Sequence, residues 1–489
     1  MSFSLLHRVI VIHQSLVRKK FRRQQEAFDR SRAVRSHRVT GFDEQRPSLS
    51  KVFSSMRGPK SWAYTSGTRK EPKAIPFDRK RTALVQKLFL KAMILLTARF
   101  KGLKTFFVFS SLNPDQSLTS GLTMGEKDPT HLELLQAPYR YLFTERGLKL
   151  RRATDDLSAR LILILVTRPA FFYATNPSTL THFLKDLELH WPRVAGNMKK
   201  ILAAPEILRE LLRLQDGNAL PRLERAAAAD TVPPFGELFS ELKALITWDG
   251  GYVKPFLEQL TVLLPGVPQV PMYSMSTEAV ETLPHLIDGR LHFLPSAPGV
   301  YYEFLDLEDQ TLHLPQDLLP GKHYGLVVSD RWGLTRYDTQ DIFLVKEVVD
   351  GLPDLAFVKR RGINSSLTGE KLTEEQILLL ITGLKERFPE LRETFFSLYP
   401  YSLQGAFGYE LALIGRSPEA GLEEFTAQAD RLLGEINAEY KSKVDSGRLL
   451  PLTTAISSSE KLAVLMGKGG QWESQFKILP LYDKIISKA

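Results

Sequence analysis

The sequence contains no cysteine. That absence excludes a disulfide framework, a zinc-cysteine centre and a thiol nucleophile, and it suits a reducing compartment. Long uncharged apolar runs are missing too. The most apolar stretch, "ALVQKLFLKAMILLTARF", carries Lys87 and Lys91 inside it, whereas a membrane-spanning helix needs about 20 mostly uncharged residues. A cleavable signal is not expected, because "LLHRVIVIHQSLV" is interrupted by His7, Arg8 and His13 and no small-residue cleavage site follows. A cytoplasmic protein is therefore expected. There is no Gly-x-Ser-x-Gly nucleophile elbow, no His-Glu-x-x-His pair and no internal repeat. The histidines are scattered, and His285 and His292 read as surface residues rather than metal ligands.

Acid is scarce at the start of the chain. Residues 1–110 hold 25 Lys+Arg against 6 Asp+Glu, so the net charge of +10 is concentrated there and the remainder is acidic. The run "RKKFRRQQEAFDRSRAVRSHR" admits contact with a membrane surface, or an organelle-targeting role. Nucleic acid is not the expected partner, since only Phe21 and Phe28 supply aromatics for stacking. The simplest reading is a solvated basic helix face that draws anionic ligands inward. With 489 residues and 43% hydrophobic content, the chain can bury one large core or two unequal ones.

Helical periodicity dominates residues 80–105, 155–166, 178–215 and 235–247. Between about 291 and 347 short β-rich runs alternate with Pro, Gly and Asp breaks, which predicts strands and hairpins. Two further helical stretches, 373–386 and 418–442, flank a strand at "ELALIG". The pattern predicts an α/β protein with a boundary near residue 358: a large domain over 1–358 and a small α+β domain over 359–489.

Three stretches combine residue types that suit a nucleotide. "TSGTRKEPK" places Ser66, Gly67 and Thr68 ahead of Lys73. Hydroxyls, a flexible backbone and an ammonium can cradle phosphate, although Ser, Thr and Gly also cluster in ordinary turns. "YSMSTE" places Glu278 beside Ser276 and Thr277. That carboxylate reads equally as a Mg²⁺ ligand or as the first-turn Glu of a helix capped by Thr277. "YDTQD" places Asp341 at a strand mouth after Tyr337, where it reads as a ribose anchor or a turn aspartate.

As an ordered set these stretches resemble the adenylate-forming ANL superfamily, and within it the auxin-responsive, Gretchen-Hagen-type acyl-acid amido synthetases. "VYYEFLDL", "HYGLVVSDRWGLTRY", the hinge-like "FVKRRGINSSLTGEK" and the closing "GGQWESQFKILPLYD" resemble that family as well. The likeness runs from about residue 60 to about 483. Departures are local. Arg69 and Lys70 stand where Thr or Ser and then Gly are usual, Asp338 and Gln340 replace Arg and Gly, and Ile478 and Leu479 precede Pro480.

The resemblance implies a large adenylating domain of sheets, packed helices and a small barrel-like part, with a mobile lid domain. It implies ATP and Mg²⁺ as cofactors, and a carboxylic acid and an amine (an amino acid) as substrates. Ser66, Gly67, Thr68, Lys73, Ser276, Thr277, Tyr337, Asp341 and Arg360 would bind the nucleotide, with Arg360 in the hinge. Glu278 would hold the metal and serve catalysis together with Lys477, the cation bridging substrate carboxylate and α-phosphate. Gly250, Gly251, Tyr252 and Tyr302 would line the acyl pocket. Two other outcomes remain open at this point: thioester formation with coenzyme A, and a degenerate homologue that binds through its basic N-terminal region.

Overall fold

A computed structural model describes residues 15–26, 37–64, 73–100, 105–109, 141–214, 219–250, 253–361, 364–365, 367–368, 370, 372–404, 406–447, 449–467 and 478–488. The chain divides into two compact units, Met1–Lys359 and Arg360–Ala489. No helix among the described residues is long and apolar enough to cross a membrane.

The larger unit opens with a helix over residues 15–26, part of the basic run. Its inward face buries Arg18, Phe21 and Gln25, while Lys19, Lys20 and Arg23 stay exposed. Strands β1 (Lys60–Tyr64) and β2 (Ala74–Asp78) form an antiparallel pair, and the helix Arg79–Leu96 follows, capped by Asp78. A parallel sheet comes next: β3 (Phe106–Val108), β4 (Phe171–Ala174), β5 (Ala244–Thr247) and β6 (Gln269–Pro271), in that order. The helix Asp156–Thr167 reads "LILILV" with no polar face and is buried all round, as expected of a helix inside the core.

Two expectations change here. Residues 235–247 are not one helix: a single turn, Phe235–Leu238, precedes β5. Every residue of β5 is buried, and a strand covered on both faces shows no alternation, so its apolar run is indistinguishable from a core helix. The 178–215 stretch is a helix over Pro177–Leu202, kinked at His190 just before Pro192, and a second helix at Pro205–Leu212. Proline removes a backbone donor and clashes with the preceding turn.

The β-rich region begins with the hairpin β7 (Leu283–Ile287) and β8 (Arg290–Leu294). Then come β9 (Val300–Asp306), β10 (Leu312–His313), β11 (His323–Asp330), β12 (Tyr337–Val349) and β13 (Leu352–Arg360), ordered β10-β9-β11-β12-β13 in one sheet. His285 and His292 face each other across the β7–β8 hairpin and are both buried, which corrects the surface assignment. His285 Nε2 lies 2.7 Å from Ser296 Oγ, and burial, with Arg18 alongside, lowers its pKa to about 3. His292 Nδ1 lies 3.1 Å from Asp354 Oδ2.

The smaller unit is an α+β layer. The short pair β14 (Asn364–Ser365) and β15 (Leu372–Thr373) leads into the helix Glu374–Arg387, whose start is fixed by a Thr373–Gln376 capping box. Strands β16 (Phe395–Leu403), β17 (Ala406–Ile414), β18 (Thr453–Ser457) and β19 (Ile486–Lys488) form a sheet in the order β18-β17-β16-β19. Its core includes Leu398, Leu411, Phe425 and Leu433. The closing segment runs beside β16, with Leu398 N–H donating to Pro480 O (2.8 Å) and Tyr482 N–H to Leu398 O (2.9 Å). Ile478, Leu479 and Leu481 are buried there, so apolar residues before Pro480 suit their place.

Candidate active site

The residues from Ser274 to Thr282 form a tight turn. Glu281 N–H donates to Ser274 O (3.0 Å), and at the tip Ser276 N–H donates to Ala279 O (2.9 Å). Ser276 spends its hydroxyl within the turn, accepting from Ala279 N–H at 3.2 Å. Glu278 therefore leaves a fixed backbone. It is buried, lies in a turn rather than at a helix start, and is 4% exposed. Thr277 beside it is half-buried.

Lys73 immediately precedes β2, at the end of the β1–β2 pair where Tyr64 faces Ala74. Its Nζ donates to Glu278 Oε1 at 2.8 Å and to the Tyr337 hydroxyl at 2.6 Å, and lies 5.3 Å from the Tyr337 ring centroid. The Tyr337 hydroxyl donates in turn to Glu278 Oε1 at 3.2 Å. Tyr337 is the first residue of β12, and its position is set from outside the sheet. Residue Thr40 pairs beside it, and Gln45 exchanges hydrogen bonds with the Thr335 backbone (2.7 and 3.1 Å).

Arg81 holds this arrangement from beneath. Its buried guanidinium donates to Glu278 O at 2.7 Å and Pro76 O at 3.1 Å, lies 3.6 Å from Asp330 Oδ2, and stacks over Phe77 and Trp332. Burial raises the Asp330 carboxyl, while Arg81 and backbone N–H groups oppose the shift. A buried cation so fully partnered ties the turn, the β2 edge and β11 together.

Asp341 reaches the same region through a bulge. Opposite the single Leu326 of β11 stand three residues of β12, Thr339, Gln340 and Asp341. Thr339 Oγ1 donates to Leu326 O (2.9 Å) and accepts from Asp341 N–H (3.1 Å), and Gln340 adopts a left-handed φ of +66°. A bulge re-aims a side chain, here the buried Asp341 carboxylate. The left-handed φ explains why glycine is usual at this position in the resembling family.

Between the two lies a carboxyl that motif reading passed over. Glu281 is 3% exposed, its Oε2 accepts from the Ser274 hydroxyl, and its Oε1 is buried without a hydrogen-bond partner among the described residues. Burial first, then the nearby Asp341 carboxylate, push its carboxyl up to about 8; Glu278 adds to the rise and the Ser274 and Ser276 hydroxyls oppose it. The only sequence signal was a second Glu three residues after Glu278.

Other expected residues fall differently. Tyr302 is fully buried in the core: its hydroxyl donates to Val280 O (2.7 Å), and Phe21 of the first helix packs edge-on against its ring. Gly250 is buried where a Cβ would sit 2.9 Å from Phe357 Cδ1 and 3.1 Å from Trp248 Cζ2, so this close approach requires glycine. Arg360 ends β13 at the junction of the two units. Ser66, Gly67, Thr68, Gly251, Tyr252 and Lys477 lie outside the described residues.

The donor set suits a hard cation and a phosphorylated ligand: a buried carboxylate, a lysine and neighbouring hydroxyls. The fold is mixed α/β and matches solved acyl acid amido synthetases. The GH3.15 acyl acid amido synthetase superposes with a TM-score of 0.69 at 17% identity, over 92% of this chain and 86% of that one. The GH3 family N-terminal domain matches residues 50–269 and the GH3 family central domain residues 293–360, together more than half of the chain. This chain belongs to the GH3 family. An indole-3-acetic acid-amido synthetase of Arabidopsis thaliana, GH3.10, is 27% identical over 46% of this chain and 42% of its own length. A probable indole-3-acetic acid-amido synthetase of Oryza sativa subsp. japonica, GH3.2, is 22% identical over 71% of this chain and 59% of its own. The chain thus spans about half the length of the curated relatives it matches.

Proposed function

We propose that the chain is an ATP- and Mg²⁺-dependent ligase that adenylates a small carboxylic acid and transfers the acyl group to an amine, a reading supported by relatives named as acid-amido synthetases. One observation carries this reading. Lys73, Glu278, Tyr337 and Asp341, from three distant stretches, converge through direct bonds and, via Glu281, through electrostatic contact. A nucleotide needs that mixture, with a cation at its phosphates and carboxylates at its metal and ribose.

In the first step the substrate carboxylate attacks the α-phosphorus of ATP and pyrophosphate leaves. In the second the amine attacks the acyl carbonyl and AMP leaves. The chain's part is positioning and charge stabilisation. Lys73 draws the phosphates, Asp341 accepts ribose hydroxyls, and Arg81 keeps the Glu278 turn in place. Mg²⁺, when bound, would be held by Glu278 and phosphate oxygens and would neutralise phosphate charge. Family likeness extends the proposal to Ser66, Gly67 and Thr68 at the phosphates, to Lys477 at the α-phosphate, and to Arg360 as the hinge.

The test is exchange of labelled pyrophosphate into ATP with a panel of carboxylic acids. Acid-dependent exchange is expected, and its absence across a broad panel would remove the ligase reading. Offering an amine panel and coenzyme A to the loaded enzyme then separates amide from thioester formation, with amide expected.

A further inference from the structure

The helix over residues 15–26 sorts its side chains by face. Arg18, Phe21 and Gln25 recur at three- and four-residue spacing and are buried. Contacts from three sides fix that face. Arg18 Nε lies 2.9 Å from Asp350 Oδ2, and Phe21 packs edge-on against Tyr302 with 5.7 Å between ring centroids. Gln25 Nε2 donates to Val300 O at 3.3 Å, and its Oε1 accepts from Tyr302 N–H at 3.4 Å. The opposite face carries Leu16, Lys19, Lys20 and Arg23, the i, i+3, i+4 and i+7 positions of one stripe, and all four are exposed. Leu16 is 60% exposed. Because the inner face is pinned, the stripe has a fixed outward aim.

Among the described residues no carboxylate pairs with Lys19, Lys20 or Arg23, and the sequence from Met1 to Gln25 contains no acid. A face kept only for solubility mixes both signs and carries few large apolar side chains. This one is of a single sign and ends in a leucine. Such a stripe matches a surface that is anionic outside and apolar just beneath, the head-group layer of a bilayer containing acidic phospholipids. The stripe offers no aromatic for stacking on bases, since Phe21 lies on the buried face. We propose that this helix seats the protein on an anionic membrane surface, with Lys19, Lys20 and Arg23 on head-group phosphates and Leu16 dipping into the interface. The contact is peripheral and reversible: about fivefold for each cation gives roughly a hundredfold preference over neutral lipid. It does not depend on the ligase reading.

Co-sedimentation of the full chain with vesicles of phosphatidylcholine, alone or mixed with phosphatidylglycerol, tests it. Binding is expected to the mixed vesicles only, weakening as salt rises. Lys19→Gln, Lys20→Gln and Arg23→Gln together should weaken it about a hundredfold, with the denaturation curve unchanged. Should that triple variant fail to fold, Lys20→Gln alone supplies the reading, with a loss of about fivefold. Lys149→Gln, Arg152→Gln and Lys254→Gln, which neutralise three exposed cations elsewhere, should leave vesicle binding as it was. No uptake by the mixed vesicles, equal uptake by both kinds, or undiminished binding by the first triple variant would overturn the inference. An equal loss from the second triple would overturn it too, since net charge rather than the stripe would then be responsible. Duplex DNA bound through the same three cations, without vesicle binding, would give the stripe to nucleic acid instead.

Discussion

Glu278 and Glu281 leave the same tight turn and meet different surroundings. Glu278 is met by an ammonium at 2.8 Å and a tyrosine hydroxyl at 3.2 Å. Glu281 has one serine hydroxyl, one orphaned oxygen and a carboxylate neighbour. The difference shows how two carboxyls on one turn acquire different partners from the elements packed against them. Lys73 compensates the charge of Glu278, whereas Glu281 has acidic neighbours in Asp341 and Glu278. Burial pushes the Glu281 carboxyl up first, and its neighbours then add to or oppose that rise.

Breaking the compensated end should have the largest effect. Glu278→Ala is expected to lower acid-dependent pyrophosphate exchange by about 10²- to 10³-fold, the range for removing one preorganised electrostatic group. A loss under tenfold would move Glu278 out of the site. Arg81→Met attacks the support rather than the chemistry. It strands the buried Asp330 carboxylate and the Glu278 carbonyl, and should cost about 3 kcal/mol or more in chemical denaturation.

The Glu281 side of the comparison can be sharpened by pH. The Glu281 carboxyl is raised from 4.5 to about 8 on folding, so the folded state holds a proton that the unfolded chain has lost. Stability tied to that proton is full below pH 4.5 and is lost as pH rises from 4.5 to 8. Glu281→Gln cannot ionise, so its stability relative to the parent should grow across that window, by up to about 5 kcal/mol. Parallel denaturation curves at every pH would show that Glu281 does not titrate there. The smallest effect belongs to the bulge beside it. Gln340→Gly relieves a left-handed φ and should raise stability by about 1 kcal/mol with β12 otherwise unchanged.

How much of this was legible in the sequence depended on range. The strands of β8–β12 announced themselves by alternation and breakers, because one face of an antiparallel sheet is commonly solvated. The buried β5 did not, since its periodicity is erased by cover on both sides. Glu278 and Asp341 were visible as motif residues, and the structure brings both to Glu281. Glu281, three residues beyond Glu278, carries no motif signal, because its surroundings are set only in the folded interior. Arg81 carries no motif signal, and its guanidinium donates to the Glu278 carbonyl, 197 residues away. His285 and His292 looked dispersed until the β7–β8 register placed them face to face. The basic run also changed meaning. Arg18, Phe21 and Gln25 are committed to the core, with Arg18 Nε 2.9 Å from Asp350 and Gln25 Nε2 donating to Val300 O at 3.3 Å.

The proposal that Lys73, Glu278 and Asp341 serve one nucleotide is most directly examined by calorimetric titration of the purified chain with ATP and Mg²⁺. One ATP per chain is expected, displaced by AMP and weakened at least about tenfold by Lys73→Met. A chain that takes up no ATP, or whose ATP affinity is untouched by Lys73→Met and Asp341→Ala together, would contradict it.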